Sequence, residues 1–198
     1  DRSVNAALWG GLSNAGQTCI SVERVYAQEK IYPEIVKRLR EGIQKLNCGS
    51  NNTPIGSISV DVSLEKIKKQ VAEVKLDSEV FEGKADNGWF IPPTLIIDPP
   101  QDSMVLNEET FGPVMSIQGF KDENDLLNQI NHQNNYGLSA SIFTKEKNKA
   151  RKIAKNISTG DINVNDVLTH YGVSDLPFGG VGKSGIGRVH GKEGLRSF

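Results

Sequence analysis

The chain has 198 residues, with 23 Lys+Arg against 24 Asp+Glu and a formal net charge of -1, enough for one domain or two small ones. That balance supplies no basic face for a nucleic-acid partner, and no apolar run approaches the ~18 residues that a membrane span needs. Two cysteines, Cys19 and Cys48, are too few for a disulfide scaffold and lack metal spacing. With His132, His170 and His190 widely scattered, no metal site is expected, and a reduced, cytoplasmic setting is. The opening Asp1-Arg2-Ser3-Val4-Asn5 has no Met and no apolar core, so a piece of a longer protein is expected rather than a signal peptide.

Taken in chain order, residues 6–12 are an apolar, buried stretch and 22–27 read as a short strand. Ile31, Ile35, Leu39, Ile43 and Leu46 recur at helical spacing, with Pro33 near the start and Gly49 past the end. Leu64, Ile67, Val71 and Val74 mark a second helix, capped by Asp61 or Ser63. Phe81 and residues 95–97 read as short strands beside turn-forming Gly83, Asn87-Gly88 and Pro92-Pro93. Residues 114–120 are an extended apolar run; a helix from Asp122 buries Leu126, Leu127 and Ile130. Leu138, Ala140 and Ile142 alternate as a strand, Ala150, Ile153, Ala154 and Ile157 return to helical spacing, and Ile162 with Val164 make another strand. This order over 114–164 predicts a parallel sheet with crossover helices. No linker divides the chain, so residues 1–198 read as one α/β domain.

Four segments carry candidate chemistry. Cys19 lies in Asn14-Ala15-Gly16-Gln17-Thr18-Cys19, where Gly16 allows close backbone approach. A thiol there is either a nucleophile activated by backbone N–H groups or a small buried residue; Cys48 reads as packing. Glu108-Glu109-Thr110-Phe111-Gly112-Pro113 is a turn with carboxylates facing out, and Asn163-Val164-Asn165-Asp166 ends a strand, where an Asn orients a substrate or closes a turn. A Cys–His hydrolase would pair Cys19 with His170 or His190, but no spacing supports it. The fourth segment, Pro177 to Arg188, contains Gly180-Val181-Gly182-Lys183-Ser184-Gly185 and so suggests a phosphate loop. The suggestion fails by counting. A Walker A motif needs Gly where Pro177 stands, and the dinucleotide fingerprint needs a preceding strand and an acidic residue about 20 positions on. The glycines are instead expected to turn the backbone sharply and pack it closely.

Together, in order and at compatible spacing, these segments resemble the NAD(P)-dependent aldehyde dehydrogenase family over essentially the whole chain. The resemblance implies a three-layer α/β catalytic domain with a mostly parallel sheet, and Cys19 as a nucleophile that forms a thiohemiacetal and then a thioester. Glu109 would hydrogen-bond the nicotinamide ribose, Phe111 would pack near the ring, and Asn165 and Phe178 would sit near the aldehyde. It implies NAD or NADP, bound mainly by a nucleotide domain that in the family precedes the cysteine and is not in this sequence. The family's Glu-Leu-Gly-Gly motif, whose Glu is the general base, and the Asn completing the oxyanion hole are also not in it. The expectation is that these 198 residues alone do not turn over and that the full-length enzyme is a homo-oligomer. The loop 170–178 resembles members acting on medium-chain, long-chain or aromatic aldehydes; residues 19–24 do not especially match those members. Two alternatives stand beside this reading: an acylating, CoA-dependent semialdehyde dehydrogenase, and a non-catalytic association module.

Overall fold

The computed structural model describes residues 1–132 and 135–197, and the chain divides into two units, Ser3–Asp122 with Asp1 and Glu123–Phe198 with Arg2. The first unit opens with helix α1 (Arg2–Leu12), which buries Val4, Ala7 and Leu12. Strand β1 (Arg24–Gln28) follows, then α2 (Tyr32–Gln44), with Pro33 in its first turn, where a missing N–H is harmless. Leu39 and Ile43 of α2 are fully buried, as the helical spacing predicts. The helix ends before Leu46, and Cys48 instead lies on a two-residue strand, β2 (Asn47–Cys48). Helix α3 (Asp61–Val74) buries Leu64, Ile67, Val71 and Val74, but neither Asp61 nor Ser63 caps it. Its N-cap is Val60 in extended conformation, and Asp61 sits in the first turn, where its charge meets the positive end of the helix dipole. Then come β3 (Glu79–Glu82), β4 (Lys84–Ala85), β5 (Thr94–Ile97), the single turn α4 (Met104–Asn107) and β6 (Val114–Phe120).

Strand β6 is central. The sheet order is β1-β6-β5-β3, parallel except for the antiparallel β3–β5 pair, while β2 and β4 form a small parallel pair. Val114, Met115, Ser116, Ile117 and Gln118 are buried in succession, the mark of a strand covered on both faces. Tyr32 of α2 packs over Gly119 and Arg40 over the Phe81 ring, which places α2 on one face. Ile67 and Val71 of α3 line a cleft with Thr94, whose side chain alternates to the other face. The result is three layers, helix–sheet–helix, around one hydrophobic cluster.

The second unit contains α5 (Glu123–His132), β7 (Ser139–Ile142), α6 (Lys147–Ala154), β8 (Asp161–Val164) and the short α7 (Gly191–Arg196). Leu126 of α5 is buried, Leu127 and Ile130 half-buried. Strands β7 and β8 pair in parallel through the crossover helix α6. Among the described residues the sheet predicted over 114–164 is therefore split: β6 joins β1 and β5, and β7 joins β8. The physical difference is burial. The apolar run of β6 is buried through five residues, whereas in β7 no residue is. Among the described residues no helix is long and apolar enough to cross a membrane, and no cluster of three or more His, Cys, Asp or Glu could hold a metal.

Candidate active site

The cysteine segment begins where α1 ends. Asn14, Ala15 and Gly16 follow one another with φ of 53°, 55° and 69°, a left-handed run that costs an L-residue such as Ala15 about 1–2 kcal/mol. Hydrogen bonds hold it. Asn14 Nδ2 donates to the Gln17 carbonyl (3.0 Å) and the Gln17 N–H to the Asn14 carbonyl (3.1 Å). The Gln17 amide clamps a neighbouring loop, donating to the Ser57 carbonyl (3.1 Å) and accepting the Ser59 N–H (2.9 Å). A second turn follows at once, closed by the Ser21 N–H on the Thr18 carbonyl at 2.9 Å, and Val22 N–H returns to the Gly10 carbonyl of α1 at 3.1 Å. Cys19 stands in that turn with its thiol free and exposed, and its backbone N–H makes no hydrogen bond among the described residues. Cys48 is its opposite: 1% exposed, donating from Sγ to the Gly56 carbonyl (3.0 Å), its pKa pushed up to about 11 by burial.

The reversed run has a counter-surface. A side chain at Gly16 would collide with the Gly112 carbonyl and come within 2.9 Å of Pro113 N. The cysteine segment is thus seated on the turn Glu108–Pro113, two stretches far apart in sequence. In that turn Phe111 is also left-handed (φ 55°) and half-buried, and Thr110 is 3% exposed. Lys66 Nζ of α3 donates to the Glu109 carbonyl at 2.6 Å. The Glu109 carboxylate is half-buried and has no hydrogen bond or ion pair among the described residues.

One residue of this site escaped the sequence reading. Glu23 Oε1 accepts the N–H groups of both Thr110 (3.0 Å) and Phe111 (2.9 Å). Burial raises the Glu23 pKa; the two N–H donors and Arg24 oppose that shift, and the Glu109 charge adds to it. The carbonyl of Glu23 accepts the Ser116 N–H (2.8 Å) and Oγ–H (3.2 Å), fixing the residue to β6.

The remaining expected site residues lie in the second unit. Asn165 (φ 59°) ends β8 with both side-chain groups committed. Its Oδ1 accepts the Thr144 N–H and its Nδ2 donates to the Thr144 carbonyl, each at 2.9 Å. That is the turn-closing geometry. Phe178 is 8% exposed and exchanges two 2.7 Å backbone hydrogen bonds with Val189. Its ring meets Tyr171 edge-on at 5.0 Å, with His170 at 5.8 Å and His190 at 6.0 Å. His170 is buried with Nδ1 2.8 Å from Asn163 Nδ2; burial lowers its pKa and the Asp161 charge opposes that. The glycine-rich stretch turns as expected, with positive φ at Gly182, Gly185 and Gly187. Four of its N–H groups serve the chain itself. Val181 donates to Gly137, Lys183 to Asn135, Ser184 to Val181 and Gly185 to Gly182, so these four donors are spent on holding the turn.

A profile described as the aldehyde dehydrogenase family matches residues 1–198, and the chain belongs to that family. It is 36% identical over 203 residues to 4,4'-diapolycopene aldehyde oxidase of Methylomonas sp, covering 100% of this chain and 37% of that protein. It is 31% identical to the succinate-semialdehyde dehydrogenase [NADP(+)] of Escherichia coli (strain K12), covering 100% and 42%. The structure of betaine aldehyde dehydrogenase from Staphylococcus aureus in complex with NAD+ superimposes with a TM-score of 0.92 at 29% identity, covering 100% and 41%. The chain therefore spans about two fifths of the length of the relatives it matches.

Proposed function

We propose that the intact protein oxidises an aldehyde to the carboxylic acid with NAD+ or NADP+, and that Cys19 is the nucleophile. The observation that carries this reading is the seating of the Cys19 segment on the Glu108–Pro113 turn through Gly16 and Gly112. It joins an exposed thiol to a turn whose free carboxylate suits a ribose. Hydroxyl groups donate, and the Glu109 carboxylate is a partly shielded acceptor with no partner among the described residues. A nicotinamide dinucleotide, when bound, supplies the acceptor for the hydride.

The chemistry on this chain's side follows from the thiol. The Cys19 thiolate adds to the carbonyl carbon; a C–S bond forms and the carbonyl π pair moves to oxygen. The N–H of Cys19, unpaired among the described residues, would donate to that oxyanion. Re-formation of C=O with loss of hydride leaves a thioester on Sγ, and water cleaves it to the acid and the thiolate. Glu109 would hold the ribose and Phe111 would pack beside the ring. Phe178, among Tyr171, His170 and His190, would offer an apolar wall to the aldehyde. Asn165 would act there through the strand end that it closes. The test is the intact enzyme with an aldehyde panel, following nicotinamide reduction and acid formation together. Acid formed at wild-type rate by the Cys19→Ala variant would end this reading.

A further inference from the structure

Glu23 lies four residues beyond Cys19, and no step above uses it. Its carboxylate is also an awkward group to bury. An apolar side chain would fill the place without a desolvation cost, but it would leave the adjacent N–H groups of Thr110 and Phe111 without an acceptor. Those two N–H groups are the informative ones. A peptide unit is planar. The Thr110 N–H therefore reports the plane joining Glu109 to Thr110, and the Phe111 N–H the plane joining Thr110 to Phe111. One oxygen holding both sets the backbone on each side of Thr110, and so the directions in which Glu109 and Phe111 leave the chain. The hold is needed because Phe111 sits at φ 55°, a conformation that L-residues avoid. It is firm because Glu23 is itself tied to β6 through Ser116. Lys66 props the same turn at the Glu109 carbonyl from α3, but through a flexible side chain that is 41% exposed, whereas the half-buried Glu23 holds two N–H groups with one oxygen.

We propose that Glu23 is a positioning residue for the nicotinamide dinucleotide, acting through the Glu109–Phe111 turn and linking that turn to the cysteine segment. The proposal rests on the reading of Glu109 and Phe111 as dinucleotide contacts. The experiment measures NAD+ and NADP+ dissociation constants by calorimetry on the intact enzyme without aldehyde. Variants are Glu23→Ala, Glu23→Asp, Glu23→Gln and Glu109→Gln, each with a thermal melt and a Cys19 alkylation rate. Glu23→Ala and the shortened Glu23→Asp should weaken binding about tenfold, with Cys19 still alkylated; Glu23→Gln, whose amide oxygen accepts both N–H groups, should stay within about twofold. Should Glu23→Ala not fold, Glu23→Asp decides. A lowered melting temperature with wild-type affinity in the folded protein means a structural role alone and overturns the proposal. If Glu109→Gln weakens binding while the Glu23 variants do not, positioning fails and the Glu109 reading stands. If Glu109→Gln binds as wild type, that reading falls and takes the proposal with it.

Discussion

Residues 13–23 and residues 165–190 both turn sharply on backbone hydrogen bonds, and the second adds packed rings. The first stretch is held by backbone groups: a left-handed run closed by Asn14 and Gln17, a glycine pressed on Gly112, and a carboxylate on two N–H groups. The second is held by backbone hydrogen bonds as well, among them the Phe178–Val189 pair, and adds rings, with Phe178 packed among Tyr171, His170 and His190. Hydrogen bonds to backbone fix direction and distance within tight limits. Ring contacts tolerate a range of angles. On the proposed function, the difference would separate a place that positions a reacting atom from one that presents an apolar surface.

The sharpest way to break that comparison is to remove the reacting atom. Cys19→Ser in the intact enzyme should lower kcat about a thousandfold or more, read as nicotinamide reduction. Alkylation separates the two thiols next. Iodoacetamide at pH 7.5 should label exposed Cys19 rapidly and Cys48, buried and with a pKa raised to about 11, only on unfolding; peptide mass spectrometry gives the two rates. Glycine substitutions then compare the stretches directly. Gly16→Val meets the Gly112 carbonyl at φ 69° and should cost about 3 kcal/mol or more in urea denaturation. Gly185→Ala has open space and only an unfavourable φ of 116°, for about 1 kcal/mol.

The smallest effects are pH slopes of opposite sign. The folded pKa of His170 lies below its ordinary 6.5, so the unfolded chain binds the proton more readily. The stability that His170 contributes is present above that value and is lost as pH falls below it. His170→Gln should flatten the loss in urea midpoint between pH 7.5 and 5.5. Glu23 has its folded pKa raised above the ordinary 4.5, so its contribution is present at low pH and is lost as pH rises through the folded value. Glu23→Gln should therefore compare better with wild type at pH 7 than at pH 4, by the same measurement.

Much of this was legible where the signal is local. The apolar run at 114–120 coincides with β6, and the spacing of Leu39 and Ile43 marks the buried face of α2. Helix α1 shows in the sequence only as an apolar stretch, because Gly10-Gly11 lowers helix propensity within it. The split of the sheet was not legible, since strand order reports sequence and not which strand pairs with which. The positions of Gly16 and of the Glu108–Pro113 turn were legible as segments, but not their contact. Glu23 left no signal: its partners are backbone N–H groups of residues whose side chains say nothing about them, and nothing in a pattern of residue types marks a carboxylate as buried.

Glu23 and its two N–H partners are separated by 87 and 88 positions. A ribosome adding about 5–20 residues per second makes Glu23 roughly 4–17 s before Thr110, and Cys19 earlier still. Through that interval the thiol has emerged while the surface that seats its loop does not yet exist, and Asn14 and Ala15 have no reason to hold their reversed handedness. The seating of this loop therefore forms late, when the strand carrying Ser116 docks beside the one that follows Glu23. The timing of that seating belongs to residues 110–116, although the thiol lies some ninety positions earlier.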